Sequence, residues 1–317
     1  MIGPTGLFGV SMNELAKENE KLSVVTADLC SFSGLDRFSK EYPEQFYNVG
    51  IAEQNMVGVS AGLAKEGFCV FAGTYATFAC TRALDQVRIN MGYMQLPIKL
   101  VGLTAGFSSG ILGPTHMALE DIAIMRAIPN ITILSPADCT ETMKCFEAAM
   151  NFNGPVYIRL TGTSRMPIVY KEDYEYKIGD NTILKDGKDV CLLATGSMVS
   201  IALNVSKELE KGGIDASVVD VHTLKPFDDI ILEYALGTKL IVTLEEHSVL
   251  GGLGSIVSEK MTESKDCPPL LKFGTPDKYF HAAGYSSLME LSGLVENNIV
   301  NRISKQLFLE KRKTTGR

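Results

Sequence analysis

The sequence predicts an α/β protein built from two doubly wound, mostly parallel sheets. Two observations carry that prediction. Short apolar runs of strand length alternate with helix-length segments along almost the whole chain, the pattern of parallel strands covered by helices on both faces. The alternation lapses once, over residues 166–188, where Pro167, Gly179, Gly187 and many charged residues replace it. The 317 residues therefore divide into a first domain at 1–165, a linker at 166–188 and a second domain at 189–317, each domain long enough to bury its own core.

The first domain opens with a helix over residues 7–20 and a buried strand at 22–26 that runs out at Asp28. Asp28 thus stands at a strand's carboxyl end, where an Asx turn or a helix cap accounts for it. Residues 32–42 read as a helix and 46–49 as a short strand. Gly50-Ile51-Ala52-Glu53 then opens a helix rich in small residues (Gly58, Ser60, Ala61, Gly62, Ala64), which suits close packing, and Gly67 ends it as a C′ residue. Glu53 lies in the first turn, where a carboxylate complements the helix dipole. Its flanks are apolar or small, so the carboxylate reads as half buried and in need of a specific partner. Residues 68–72 are too short and too apolar for anything but an interior strand. Gly73-Thr74-Tyr75-Ala76-Thr77-Phe78 follows as a loop that leaves Tyr75 and Phe78 standing at the strand's carboxyl end, where open α/β sheets bind ligands. A second helix is expected to run on to Asn90.

Beyond it come an interior strand at 97–103 and a loop of Gly, Ser and Thr over 104–115, ending in Gly113-Pro114-Thr115-His116. His116 is one of four histidines, with His222, His247 and His281. A lone His before a helix is most often a cap or a packed residue. The domain continues with a helix at 118–127, a strand at 131–134, a helix started by Ser135-Pro136-Ala137-Asp138, and a strand at 155–160. That last strand carries Arg159 near its carboxyl end. An Arg inside an apolar strand loses hydration unless it meets an anion, and a structural ion pair is one way to supply it. In the second domain strands at 190–194, 216–221, 240–244 and 270–273 alternate with helices, and residues 286–308 close it helically. Gly251-Gly252-Leu253-Gly254 follows a strand but lacks the third glycine of a dinucleotide fingerprint.

Composition excludes several functions. With 45% hydrophobic and 21% charged residues the chain is an ordinary globular protein. Its net charge of −7, with no basic stripe before Lys311-Arg312-Lys313, argues against a nucleic acid partner. Seven cysteines without any CxxC spacing fit buried thiols in a reducing cytosol. The first residues carry no signal-peptide pattern, and no run of about 18 apolar residues could span a bilayer. A cytoplasmic location is expected, with no membrane association.

Four motifs, in this order, give the chain away. Gly50-Ile51-Ala52-Glu53-Gln54-Asn55, then Phe71-Ala72-Gly73-Thr74-Tyr75-Ala76-Thr77-Phe78, then Asp85-Gln86-Val87-Arg88, then Gly113-Pro114-Thr115-His116-Met117-Ala118-Leu119-Glu120-Asp121 closely resemble the pyrimidine-binding half of thiamine diphosphate enzymes, specifically the transketolase family. The second domain resembles that family's C-terminal domain, so the resemblance covers about residues 10–310. It implies that Glu53 hydrogen-bonds the cofactor's aminopyrimidine and that Tyr75 and Phe78 pack on the ring, with Asp28 reaching the cofactor region. It places His116 over the thiazolium carbon, to handle substrate hydroxyl protons or stabilise a developing oxyanion, and it gives Arg159 a substrate phosphate to bind. The chemistry requires a Glu. Protonating the ring nitrogen opposite the exocyclic amine favours the imino tautomer, which can then take the thiazolium proton. A Gln could not donate that proton.

Half of the site is missing. Enzymes of this kind hold the diphosphate through Mg²⁺ with a Gly-Asp-Gly turn and a later Asn, and no Gly-Asp-Gly occurs here; Gly179-Asp180-Asn181 lacks the second glycine. The resemblance therefore implies the C-terminal subunit of a split transketolase, active only with an N-terminal diphosphate-binding subunit that supplies most of the Mg²⁺ site, most simply as an α2β2 heterotetramer. Three positions depart from the family: Leu112 where an acidic residue usually reads a ketose hydroxyl, Thr104 where a second His is expected, and Thr81 where a further aromatic is expected. A sugar hydroxyl left unpaired against leucine is penalised. The expected reaction is transfer of a two-carbon ketol unit between a ketose-like donor and an aldehyde acceptor, with a sugar or sugar phosphate less hydroxylated than usual. A 1-deoxyxylulose-phosphate-synthase-like carboligase, the beta subunit of a 2-oxo acid dehydrogenase decarboxylating component and a non-catalytic scaffold remain as alternatives. His222 and His247 read as structural or interfacial, and His281 is unassigned.

Overall fold

A computed structural model describes residues 3–315. The first domain runs α1 (Pro4–Ala16), β1 (Leu22–Thr26), α2 (Asp36–Glu41), β2 (Phe46–Asn48), α3 (Glu53–Lys65), β3 (Cys69–Tyr75), α4 (Ala76–Cys80), α5 (Leu84–Val87), a π-helical turn (Arg88–Tyr93), β4 (Lys99–Leu103), α6 (Asp121–Arg126), β5 (Thr132–Leu134), α7 (Cys139–Asn151) and β6 (Val156–Arg159). The second runs β7 (Thr182–Lys185), β8 (Val190–Ala194), α8 (Met198–Lys211), β9 (Ala216–Asp220), β10 (Thr223–Lys225), α9 (Asp229–Leu236), β11 (Leu240–Ser248), α10 (Leu253–Met261), β12 (Leu270–Thr275), α11 (Tyr285–Ser292) and α12 (Glu296–Thr315).

The two sheets are mostly parallel. In the first, β2, β1, β3, β4, β6 and β5 lie side by side and parallel. The chain leaves β1 for β2 on one side and returns across it to β3 on the other, so the crevice between the ends of β1 and β3 is the topological switch point. Asp28 follows one of those ends and Tyr75 forms the other. The second sheet has the order β12-β11-β8-β9-β7.

Local chemistry explains the elements that frame this crevice. β1 and β4 are buried at every position, which is why they read as mostly apolar runs. α3 ends in a Schellman motif: Gly67 adopts φ +83°, its N–H donates to the Ala64 carbonyl at 3.1 Å, and the Phe68 N–H donates to Leu63 at 3.1 Å. One face of the first sheet packs Phe8, Met12, Phe38, Phe71 and Phe146 together. On the other face Met56, Val57, Val70 and Leu100 share a continuous apolar core with Leu193, Val219, Ile241 and Leu253 of the second domain.

Two expectations need correction, and one strand pairing was not foreseen. The stretch 166–188 is not plain linker: β7 pairs antiparallel with β9 as an edge strand of the second sheet. Its side chains are half-buried or exposed, so it lacks the apolar signature of an interior strand. The second domain also returns a strand to the first, since β10 pairs antiparallel with β5. The expected aromatic loop and single helix to Asn90 are instead the short helices α4 and α5 and the π-helical turn, whereas residues 286–308 close the domain helically as expected, as α11 and α12 parted at Gly293, which takes a left-handed φ of +75°. Among the described residues no helix is long and apolar enough to cross a membrane.

Candidate active site

The ends of β1 and β2 are tied together by a side chain that the sequence did not single out. Asn48 accepts the Asp28 N–H at 3.1 Å and the Gly50 N–H at 3.0 Å through Oδ1, and its Nδ2 donates to the Asp28 carboxylate at 3.4 Å. Asp28 sits at φ +59°, a left-handed conformation that Asp tolerates better than most residues. Gly50, at φ +74°, turns the chain into α3, whose first residue is Glu53. No side-chain hydrogen bond caps this helix, and among the described residues the acidic group in its first turn is Glu53, which is 2% exposed.

The aromatic residues converge from two directions. β3 delivers Tyr75, and the turn straight into α4 brings Phe78 edge-on to it, with ring centres 5.7 Å apart. His116 arrives along the loop after β4. Gly113 there adopts φ +79° and its carbonyl accepts the His116 N–H at 3.0 Å, which turns the imidazole edge-on to Tyr75 at 5.1 Å and to Phe78 at 5.2 Å. The His116 Nδ1 lies 3.0 Å from the Thr115 hydroxyl. Phe32 leans on the far side of Tyr75 at 5.0 Å, and burial raises the Tyr75 phenol above its ordinary pKa. Such offset and edge-on pairs hold ring orientations as well as burying area.

Arg82 joins Glu53 to this cluster. Its Nη1 donates to both carboxylate oxygens at 2.8 Å, while the guanidinium carbon stands 4.1 Å from the centre of the Phe78 ring. Sequence reasoning missed this residue. Arg82 lies in the turn between α4 and α5, so no spacing within a single helix announced its contact with Phe78.

A cleft of about 490 Å³ opens beside the rings, lined among others by Thr5, Phe32, Tyr75, Thr104, Ser109 and Leu112. Leu112 is exposed on its rim, together with Ile111; Ile51, ahead of α3, is exposed as well. Thr104 is the strained member. It follows β4 at φ +53°, unusual for a β-branched residue, and its buried hydroxyl has no partner among the described residues.

Arg159 belongs elsewhere, and its expected contact with a substrate phosphate is corrected. The guanidinium is completely buried; Nε donates to Asp121 Oδ2 at 2.8 Å and Nη2 donates to the Glu246 carbonyl at 2.8 Å. The anion that offsets its desolvation is Asp121, which also accepts the Tyr157 hydroxyl at 2.8 Å. Glu246 extends this network between the domains. Its carboxylate accepts the Phe107 N–H at 2.6 Å, the Tyr285 hydroxyl at 2.7 Å and the Ser197 hydroxyl, anchoring the loop that carries His116 to the second domain. His222 and His247 are buried, and burial lowers both to about 4. His247 Nε2 accepts the Ala123 N–H at 3.3 Å, and His222 Nε2 bonds the Asp180 carbonyl at 2.8 Å. Both are neutral packing groups between segments. His281 is exposed and apart from the ring cluster's contacts. Among the described residues no three His, Cys, Asp or Glu side chains converge as metal ligands.

The same segments match known proteins. Residues 5–164 match the transketolase pyrimidine binding domain and residues 179–299 match the transketolase C-terminal domain. The 6-deoxy-6-sulfo-D-fructose transketolase subunit of Clostridium sp. (strain MSTE9) is 39% identical over 289 residues, covering 90% of this chain and 89% of the relative. An apulose-4-phosphate transketolase subunit of Phocaeicola vulgatus is 38% identical over 280 residues, covering 88% and 89%. A split-gene transketolase solved as an inactive beta4 tetramer is similar with a TM-score of 0.89 at 40% identity, covering 98% of this chain and 99% of that one. With both of its domains matched, and relatives aligned over most of their own length, the chain belongs to the transketolase family.

Proposed function

We propose that this chain is the C-terminal subunit of a two-component, thiamine diphosphate-dependent transketolase that transfers a two-carbon ketol unit from a ketose-like donor to an aldehyde acceptor. The observation that carries the reading is the buried carboxylate of Glu53, joined through Arg82 to the cluster of Tyr75, Phe78 and His116 rings near the switch point of the first sheet. These residues fit an aminopyrimidine: a flat heteroaromatic group needs an apolar ring to lie on and a carboxylate that accepts an N–H away from water. When bound, thiamine diphosphate supplies the nucleophilic carbon that ketol transfer requires. Glu53 holds a proton at the ring nitrogen, Tyr75 and Phe78 keep water from the ring, and Asp28 borders the cofactor region. His116 has Nδ1 engaged by Thr115, so Nε2 is the nitrogen that exchanges protons with a substrate hydroxyl.

The diphosphate and Mg²⁺ belong to an N-terminal partner subunit. The lack of a Gly-Asp-Gly turn supports this, as do the exposed apolar residues Ile51 and Ile111 close to the site. An α2β2 assembly in the cytoplasm is the simplest arrangement, and none of the seven cysteines is in a disulfide. The two relatives named above act, by their names, on a sulfonated and a phosphorylated sugar. Leu112 at the cleft rim reads as the specificity residue, favouring a sugar or sugar phosphate that presents fewer hydroxyls there. Calorimetric titration of thiamine diphosphate with Mg²⁺ tests the reading, into this chain alone and into its mixture with the candidate N-terminal subunit. Tight binding in the mixture only is expected; no binding in either refutes it.

A further inference from the structure

Arg82 presents to Glu53 and Phe78 what an aminopyrimidine would present. Its guanidinium is a planar, delocalised cation that donates N–H bonds to both carboxylate oxygens at 2.8 Å while lying 4.1 Å from the centre of the Phe78 ring. One planar group is thus held by an anion and an aromatic ring together. A protonated pyrimidine, by its own chemistry, would seek the same pair. The two ends of the contact differ in depth, for the Arg82 side chain is 45% exposed and that of Glu53 is 2% exposed. Arg82 can therefore swing into water with its charge hydrated as it leaves, whereas Glu53 stays buried where α3 puts it, so the exchange is inexpensive only when another N–H donor takes the vacated place.

We propose that Arg82 is a displaceable placeholder for the cofactor's pyrimidine: it keeps Glu53 ionically paired and Phe78 covered, and it is expelled when the ring binds. The proposal rests on the function proposed above. Its physical content is competition. A seat that the protein's own side chain fills for part of the time weakens the apparent affinity by the fraction of time it is filled, and removing the occupant removes that handicap. An arginine serving only to build the site would do the opposite on removal, loosening Glu53 and weakening binding.

The test is calorimetric affinity for thiamine diphosphate with Mg²⁺, measured on the full chain assembled with its N-terminal subunit, for wild type, Arg82→Ala and Arg82→Gln. Gln retains a donor for Glu53 but neither the charge nor the delocalised plane, and it guards against an Ala variant that folds poorly; a thermal melt of each assembly checks this. Arg82→Ala is expected to bind about fivefold tighter, with Arg82→Gln between it and wild type. Equal or weaker binding in both variants, with wild type binding normally, overturns the placeholder and leaves the functional reading standing. Failure of the wild-type assembly to bind at all overturns both.

Discussion

Replacing Arg159 by Leu separates the two roles that an arginine at the end of an interior strand can have. In the structure Arg159 and Asp121 are both completely buried and joined at 2.8 Å, so removing the cation strands a carboxylate in the core. Breaking a buried pair from one side costs about 3–5 kcal/mol. For a unit of about 150–250 residues each kcal/mol moves Tm by about 2–4 °C, which gives a fall of about 10 °C. The pair itself is imperfect, because Arg159 Nη1 and Asp121 Oδ1 have no hydrogen-bond partner among the described residues. Replacing both residues by Leu should therefore recover much of the loss. It should not recover all of it, since the Tyr157 hydroxyl then loses its acceptor at a cost of about 1–3 kcal/mol; adding Tyr157→Phe removes that residue of the penalty. Urea unfolding followed by circular dichroism, run as a double-mutant cycle over Arg159 and Asp121, measures each step. An Arg159→Leu protein within about 0.5 kcal/mol of wild type refutes the ion-pair account. A raised KM for a phosphorylated substrate at unchanged stability would restore the phosphate contact.

Glu53→Gln should keep the fold and partner binding yet lose most turnover, about 100-fold or more, because an amide cannot hold or return the proton; near-normal kcat would overturn the assignment. Leu112→Asp should raise kcat/KM with ordinary ketose phosphates by about tenfold if the rim residue reads a hydroxyl, and no gain with any of them would place specificity elsewhere. His222 should set part of the acid stability. Its folded pKa of about 4 lies below the usual value of 6.5, so the unfolded chain takes up the proton first and folding stability falls as pH drops from 6.5 towards 4. His222→Gln should remove up to about 3 kcal/mol of that pH dependence, and an unchanged slope of stability against pH would show that His222 does not contribute.

The fold was legible wherever burial and periodicity agree. β1, β4 and β8 are buried on both faces, and a strand of that kind writes itself into the sequence as a short, mostly apolar run without polar alternation. β7 was not legible, because an edge strand with half its surface in water has the composition of a loop. β10 was hidden for another reason: three residues pair across a domain boundary, which no local pattern announces. Within the site, Tyr75, Phe78 and His116 could be named because their motifs are contiguous, and the structure brings the three rings together. Arg159 misled. Local sequence shows that a buried guanidinium needs an anion, but Asp121 lies 38 residues away and only the fold supplies it. Asn48 and Arg82 went unseen because polar residues near element ends are common, and their partners are set by how the strand ends meet.

The two arginine–carboxylate pairs make a physical contrast that bears on how half a site can be stable by itself. Arg159 and Asp121 lie where neither ion can reach water, so separating them strands charge, and the pair acts as a fixed joint beneath the His116 loop. Arg82 and Glu53 have the same chemistry with one end in solvent, and separating them rehydrates the cation. A carboxylate that is to receive a cofactor nitrogen must be dehydrated in advance, yet it cannot wait in the interior uncompensated. A partner that is close in geometry and half exposed meets both conditions. On this view the depth of the arginine, rather than the identity of the carboxylate, distinguishes an acidic residue that builds the fold from one kept available for a ligand.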